Sequence, residues 1–211
     1  IWRFPYVMGQ YGGAVFLAVY VLIVSTICFI PLINELYIGK YTKKECIGAY
    51  EAINPKLKYF GVLNPIASIF ITSFYFVVGG WIINYIIKSF SGNLALVNNF
   101  GEYFSDFTKN PLYPCILTEI FLFICIFFTA RGIKKGIEAA NKVLMPLLAL
   151  ILIFLVCISL NLPDAQKGLE YMFKPDFSKL NFELILAALG QAFFTLSLGT
   201  GVLITYGSYV K

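Results

Sequence analysis

Long stretches without a charge constrain this chain more than any other feature. Tyr11 to Asn34, Phe60 to Ile87, Val143 to Leu162 and Leu184 to Val210 carry none, and Pro111 to Ala130 carries only Glu119. Each run is near or above the ~20 residues a helix needs to cross ~30 Å of hydrocarbon. Inside lipid the backbone must satisfy its own hydrogen bonds, which leaves helices or closed barrels. The two-residue alternation of barrel strands is missing. The expectation is therefore all-α: a polytopic transmembrane helix bundle in the cell (plasma) membrane, with lipid as a partner. Only 13% of the 211 residues are charged, against ~25% in soluble proteins, which argues against buried helices of a soluble protein.

The chain reads as a single transmembrane domain over 1–211. Residues 1–10 form a helical piece too short to span. Membrane spans follow at 14–39, 62–90, 111–130, 143–161 and 183–210. The chain opens at Ile1 without an initiator Met and reads as truncated rather than processed. Loops 40–61 and 131–142 each carry a net charge of +3, whereas 88–110 is neutral and 162–183 is −1. Basic loops stay in the cytoplasm. Loops 40–61 and 131–142 are thus expected inside, and the polar connections 91–110 and 162–182 outside. Trp81, Tyr85, Tyr113, Tyr206 and Tyr209 fall at span ends, where aromatic rings anchor at the interface.

The net charge of +5 is consumed by this topology, so no nucleic-acid partner is expected. Histidine is absent, which removes His metal sites and Ser-His-Asp or Cys-His pairs. The five cysteines form no CxxC pair and read as reduced packing residues. No enzyme and no cofactor are expected.

The last span contains Gln191, Thr195, Ser197, Gly199, Thr200 and Gly201 near its centre. Unwound backbone at membrane depth survives only against protein or a wet cavity. Opening a helix there frees carbonyls for a cation and amide N–H groups for an anion. A close-packed small-residue interface is the competing reading. Tyr75, one turn after Ile71, is either a ligand partner or a packed phenol. Gly12-Gly13 and Gly79-Gly80 read as close-approach positions. Arg3, Glu35 and Glu119 are charges in or beside the membrane and hence functional candidates; Glu119 has no evident role.

Several of these segments together resemble the neurotransmitter:sodium symporter family. They are Ile1-Trp2-Arg3-Phe4-Pro5-Tyr6, Gly12-Gly13-Ala14-Val15-Phe16, Ile30-Pro31-Leu32 with Glu35 to Gly39, Arg131 to Glu138 with Pro146, and Gly190 to Gly199. The resemblance covers the whole chain in order, and the last segment is similar to the unwound sixth helix of bacterial amino-acid members. It implies a part of an inverted-repeat transporter fold with discontinuous helices, from the outer half of helix 1 through helix 6.

Carried over residue by residue, the resemblance implies that Tyr75 bonds a substrate carboxylate. Ile71, Phe194, Ser197 and Thr200 would line the side-chain pocket, and Thr195 would ligate a sodium ion. Arg3, Gln191 and Phe194 would gate the outer side and Tyr209 the inner. Tyr20, Gln191 and Thr195 sit where chloride-dependent members hold their anion. Glu35 would brace the broken helices. Thr200 stands where a leucine-transporting relative has a bulky aromatic residue, so a larger or aromatic substrate is expected. The implied activity is sodium-coupled symport of an apolar or aromatic amino acid by alternating access. A channel or structural bundle without coupled transport is the alternative.

Overall fold

The computed structural model describes residues 3–210, and no strand occurs among them. In chain order the helices are α1 (Arg3–Gln10), α2 (Ala14–Thr42), α3 (Cys46–Ile53), α4 (Lys58–Phe90), α5 (Phe100–Lys109), α6 (Leu112–Thr129), α7 (Ala139–Leu160), α8 (Ala165–Phe173), α9 (Phe182–Leu196) and α10 (Val202–Tyr209). Among the described residues four stretches are long and apolar enough to cross a membrane: Ala14–Thr42, Pro55–Phe90, Leu112–Thr129 and Lys134–Leu160. With 15 residues at 1.5 Å each, α9 is roughly 22 Å long and cannot cross alone.

Polar side chains start several helices by taking up otherwise unpaired N–H groups. The Asn181 carboxamide accepts from the Leu184 amide at 2.7 Å and opens α9. Asn99 accepts from Gly101 and Glu102 and opens α5. The Glu45 carboxylate accepts from Ile47 and Gly48 and opens α3. In α2 the ladder widens to a π-turn at Val24–Cys28. The hydroxyls of Ser25 and Thr26 donate back to Val21 and Leu22 carbonyls there, a local competition that loosens a helix.

The described chain divides into two units: residues up to Ser68 with those from Val156 onward, and Ile69–Leu155. In the first unit α2 contributes Val15, Phe16, Ile23 and Cys28 to a core completed by Leu184, Ala188 and Ala192 of α9 and by Leu198. Positions 184, 188, 191 and 192 share one stripe of α9. Its two alanines let the backbones approach, and this matters because lipid tails are as apolar as the core and packing must drive helix association. The sharpest approach joins α2 to α10. A Cβ added at Gly39 would lie 1.9 Å from the Ile204 carbonyl oxygen, and one at Gly207 would lie 2.3 Å from that of Leu36.

The end of α1 is fixed by the segment around α8. The Tyr171 phenol donates to the Gly9 carbonyl at 2.7 Å. Gly13 has φ +58, and a Cβ there would meet the Tyr171 carbonyl oxygen at 2.3 Å, so no other residue fits.

In the second unit α4 packs on α6. A Cβ at Gly79 would lie 2.3 Å from the Phe121 ring, and one at Gly80 would lie 2.7 Å from Thr118. Helix α5 lies inside the segment read from sequence as a polar loop, just as α8 lies inside 162–182. It lays Phe104 edge-on against Trp81 at 4.9 Å, and the buried Asn84 amide donates to Tyr103 at 3.0 Å.

Candidate functional site

The last apolar run is two helices with a break between them. Helix α9 ends because Ser197 enters the left-handed region (φ 54, ψ 34). The Ser197 amide then donates to the Phe194 carbonyl and the Leu198 amide to that of Phe193. This is the Schellman closure, which usually has glycine at its turning residue. A serine there costs roughly 1–2 kcal/mol, strain of the kind that collects at functional sites. Gly199 (φ +77) and Gly201 (φ +76) complete the reversal, and α10 begins at Val202.

Three neighbours hold the break. The Glu35 carboxylate on α2 accepts from the Gly199 amide at 2.8 Å through Oε1, while its buried Oε2 has no partner among the described residues. The Ser68 hydroxyl donates to the Thr200 carbonyl at 2.9 Å. Cys46 and Asn64 wall Gly201, with their Cβ atoms 2.9 and 3.0 Å from where a Cβ on Gly201 would be. Burial and the neighbouring Glu45 carboxylate push the Cys46 thiol up, so it stays protonated. Thr200 is buried and its own hydroxyl donates to the Ser197 carbonyl at 2.6 Å.

One turn above the break on α9, the buried Gln191 donates through Nε2 to the Thr195 hydroxyl at 3.0 Å. Gln191 Oε1 is buried without a partner among the described residues. The Arg3 guanidinium sits over the Phe194 ring, 4.9 Å from its centroid, a cation–π contact. Of the three residues expected at the outer gate, Arg3 and Phe194 are thus in contact, while Gln191 is paired with Thr195. Tyr20 packs edge-on against Phe4 at 4.9 Å; among the described residues no hydrogen bond joins it to Gln191 or Thr195. Tyr209 ends α10 and is exposed. Next to it the Lys43 ammonium donates to the Val210 carbonyl.

Ile71 and Tyr75 lie one turn apart on α4 within the second unit, half-buried and exposed respectively, with Tyr75 edge-on to Phe74. Glu119 is exposed on α6 of the same unit. Sequence reasoning missed Ser68, Gly39 and Gly207. Ser68 carries no local signal, since its partner is 132 residues away. The two glycines lie in the expected spans without the doubling that marked Gly12-Gly13 and Gly79-Gly80.

Four membrane-length apolar helices among the described residues, with an apolar helix pair broken at Ser197–Gly201, define a multi-pass integral membrane protein with a discontinuous-helix transporter fold. The chain belongs to the sodium:neurotransmitter symporter family, whose model matches residues 1–110 and 106–211. It is thus part of a transporter family of the plasma membrane. An uncharacterized sodium-dependent transporter of Bacillus subtilis (strain 168), YhdH, is 39% identical over all of this chain and 48% of its own length. One from Methanocaldococcus jannaschii, MJ1319, is 36% identical over all of this chain and 45% of its own. The human sodium- and chloride-dependent transporter XTRP3 is 29% identical over 99% of this chain. The crystal structure of MhsT in complex with L-phenylalanine matches with a TM-score of 0.90 and 43% identity, covering 100% of this chain and 49% of that one. The chain spans about half the length of the relatives it matches.

Proposed function

We propose that this chain forms part of a sodium-coupled symporter that carries an apolar or aromatic amino acid inward by alternating access. The observation that carries the reading is the break at Ser197–Gly201, strained at Ser197 and held by the Glu35 carboxylate on the Gly199 amide. Such a break frees backbone carbonyls for a cation and N–H groups for a carboxylate, both in a low-dielectric setting. The bound phenylalanine of MhsT, a transporter of the same fold at 43% identity, supports an aromatic or apolar substrate.

For Thr195, Gln191 and Glu35 the roles follow from what each group has left to offer, and for the other residues from the family resemblance. The Thr195 hydroxyl accepts one bond from Gln191 and keeps a lone pair for sodium. Gln191 Oε1 and the Arg3 guanidinium stand toward the outer side, with Phe194 between them and the break as a lid. Glu35, with Oε2 uncommitted to a described partner, is suited to brace a second set of freed amides. Tyr75 is assigned the substrate carboxylate, and Ile71, Phe194, Ser197 and Thr200 the recognition of its side chain. Tyr209 belongs to the inner gate, and the basic loops 40–61 and 131–142 face the cytoplasm. Chloride at Tyr20, Gln191 and Thr195 would need Gln191 to release Thr195 or turn its amide toward the ion.

Sodium and substrate sharing one site stabilise each other's binding, and that reciprocity is the coupling. Equilibrium binding of radiolabelled amino acids to the full-length transporter, in sodium or in potassium, tests this. L-Phenylalanine should bind in sodium and be displaced by leucine and tryptophan. Binding that is equal in potassium would overturn the coupling.

A further inference from the structure

We propose that Ser68 is a positioning residue for the unwound segment, and that through it the site selects apolar side chains. The selectivity clause rests on the amino-acid reading above. Serine and threonine hydroxyls inside helices normally turn back to a carbonyl of their own helix. Ser25, Thr42, Ser73, Thr118 and Thr129 all do so here. Among the described serine and threonine donors in helices, Ser68 is the one that reaches the backbone of another segment. Its hydroxyl leaves α4 and donates to the Thr200 carbonyl at 2.9 Å.

The location of that acceptor gives the bond its consequence. Thr200 sits between two left-handed glycines, Gly199 and Gly201, so its peptide plane has no helical ladder to orient it. Glu35 holds the amide of Gly199, and Ser68 holds the carbonyl one residue later. The two clamps act on neighbouring residues and on opposite polarities, one accepting and one donating. Together they fix which freed groups the break can present. The Thr200 carbonyl is taken by Ser68 and its hydroxyl by the Ser197 carbonyl at 2.6 Å. The hydroxyl's single hydrogen and one lone pair of the carbonyl are thus committed within the protein, so the side chain at position 200 has no donor left for a ligand, only its methyl group and acceptor lone pairs. A ligand hydroxyl or amide oxygen would find no side-chain donor there, and leaving a buried polar group unpaired is costly.

Removing the Ser68 hydroxyl should free the Thr200 carbonyl, loosen the segment and hand the site a second, less directed acceptor lone pair. The test uses the full-length transporter with Ser68→Ala, Ser68→Cys and Ser68→Thr. Two quantities are read: hydrogen exchange of the backbone amides over 198–202, and the ratio of L-phenylalanine to L-serine affinity in sodium. Ser68→Ala should speed exchange about fivefold and narrow the affinity ratio by a similar factor. Ser68→Thr, which keeps the hydroxyl, should retain wild-type values in both. Ser68→Cys, with its weak donor, should fall between and supplies the test if the alanine variant does not fold. A purely structural role would lower thermal stability without moving the affinity ratio, and that result overturns the selectivity claim. Unchanged exchange over 198–202 in a folded Ser68→Ala or Ser68→Cys protein overturns the proposal altogether. If exchange quickens while the wild type binds no amino acid, the clamp stands and the amino-acid reading is what fails.

Discussion

The tightest approach in the first unit gives the sharpest perturbation, Gly39→Ala. An alanine Cβ at this position would meet the Ile204 carbonyl oxygen at 1.9 Å, its carbon at 2.8 Å and the Ser208 nitrogen at 3.0 Å. All three are backbone atoms of α10, so no side chain can rotate away. Cβ atoms essentially never approach other atoms closer than 3.0 Å. Relieving the worst contact thus needs a separation of about 1.1 Å between α2 and α10, the kind of overpacking that costs roughly 1–3 kcal/mol. The same α2 carries Glu35, one turn earlier, whose carboxylate reaches the Gly199 amide at 2.8 Å. A shift of that size would stretch this bond beyond hydrogen-bonding range. Two readouts should therefore fall together in the full-length protein. The melting temperature in detergent should drop by roughly 1–3 °C in a protein about twice this chain's length, and sodium-dependent substrate binding should weaken. Gly190→Ala is the control: its Cβ would meet nothing within 4 Å, and alanine suits a helix better by roughly 1 kcal/mol, so stability should hold or rise. A Gly39→Ala protein with wild-type melting temperature and binding would refute the reasoning.

Glu35→Ala should leave the Gly199 amide unpaired, weakening amino-acid binding by about tenfold or more given ~1.5–3 kcal/mol for a charged hydrogen bond. Glu35→Gln should lose less, since the amide oxygen can still accept; scintillation-proximity binding reads both. Tyr75→Phe removes one phenol and should weaken binding of the free amino acid about tenfold, while binding of an amino acid amide changes less. Thr200→Phe fills the space around a residue only 9% exposed and should shift preference from phenylalanine toward alanine, as competition binding would show.

The helix class and the broken helix were legible because both are written locally. Charge-free runs of membrane length report spans, and glycines beside serine and threonine in mid-run report a break. The family resemblance was legible for the same reason, since its segments are contiguous. Helix α5 was hidden by its polar surroundings, although Phe100, Phe104 and Phe107 recur at a helical spacing behind the Asn99 cap and mark one apolar face. The π-turn at Val24–Cys28 has only the Ser25-Thr26 pair to announce it. Gly39, Gly207 and Ser68 were illegible in kind. Each acts on atoms far along the chain, Gly39 on Ile204, Gly207 on Leu36 and Ser68 on Thr200, and a single sequence does not record who its neighbours are. The small-residue packing weighed for Ser197–Gly201 occurs within it only at Gly201, walled by Cys46 and Asn64; the close backbone contacts fall at Gly39 and Gly207, and a Cβ on Gly199 would meet nothing within 4 Å, leaving its amide for Glu35.

Concentrative uptake by the full-length transporter tests the central claim most directly. Purified protein is placed in proteoliposomes loaded with potassium, and radiolabelled L-phenylalanine is added outside with sodium or with potassium. An inward sodium gradient should drive accumulation above the outside concentration, and dissipating it with a sodium ionophore should collapse it. Accumulation to no more than equilibrium, at the same level with either cation, would contradict coupled symport at the broken helix.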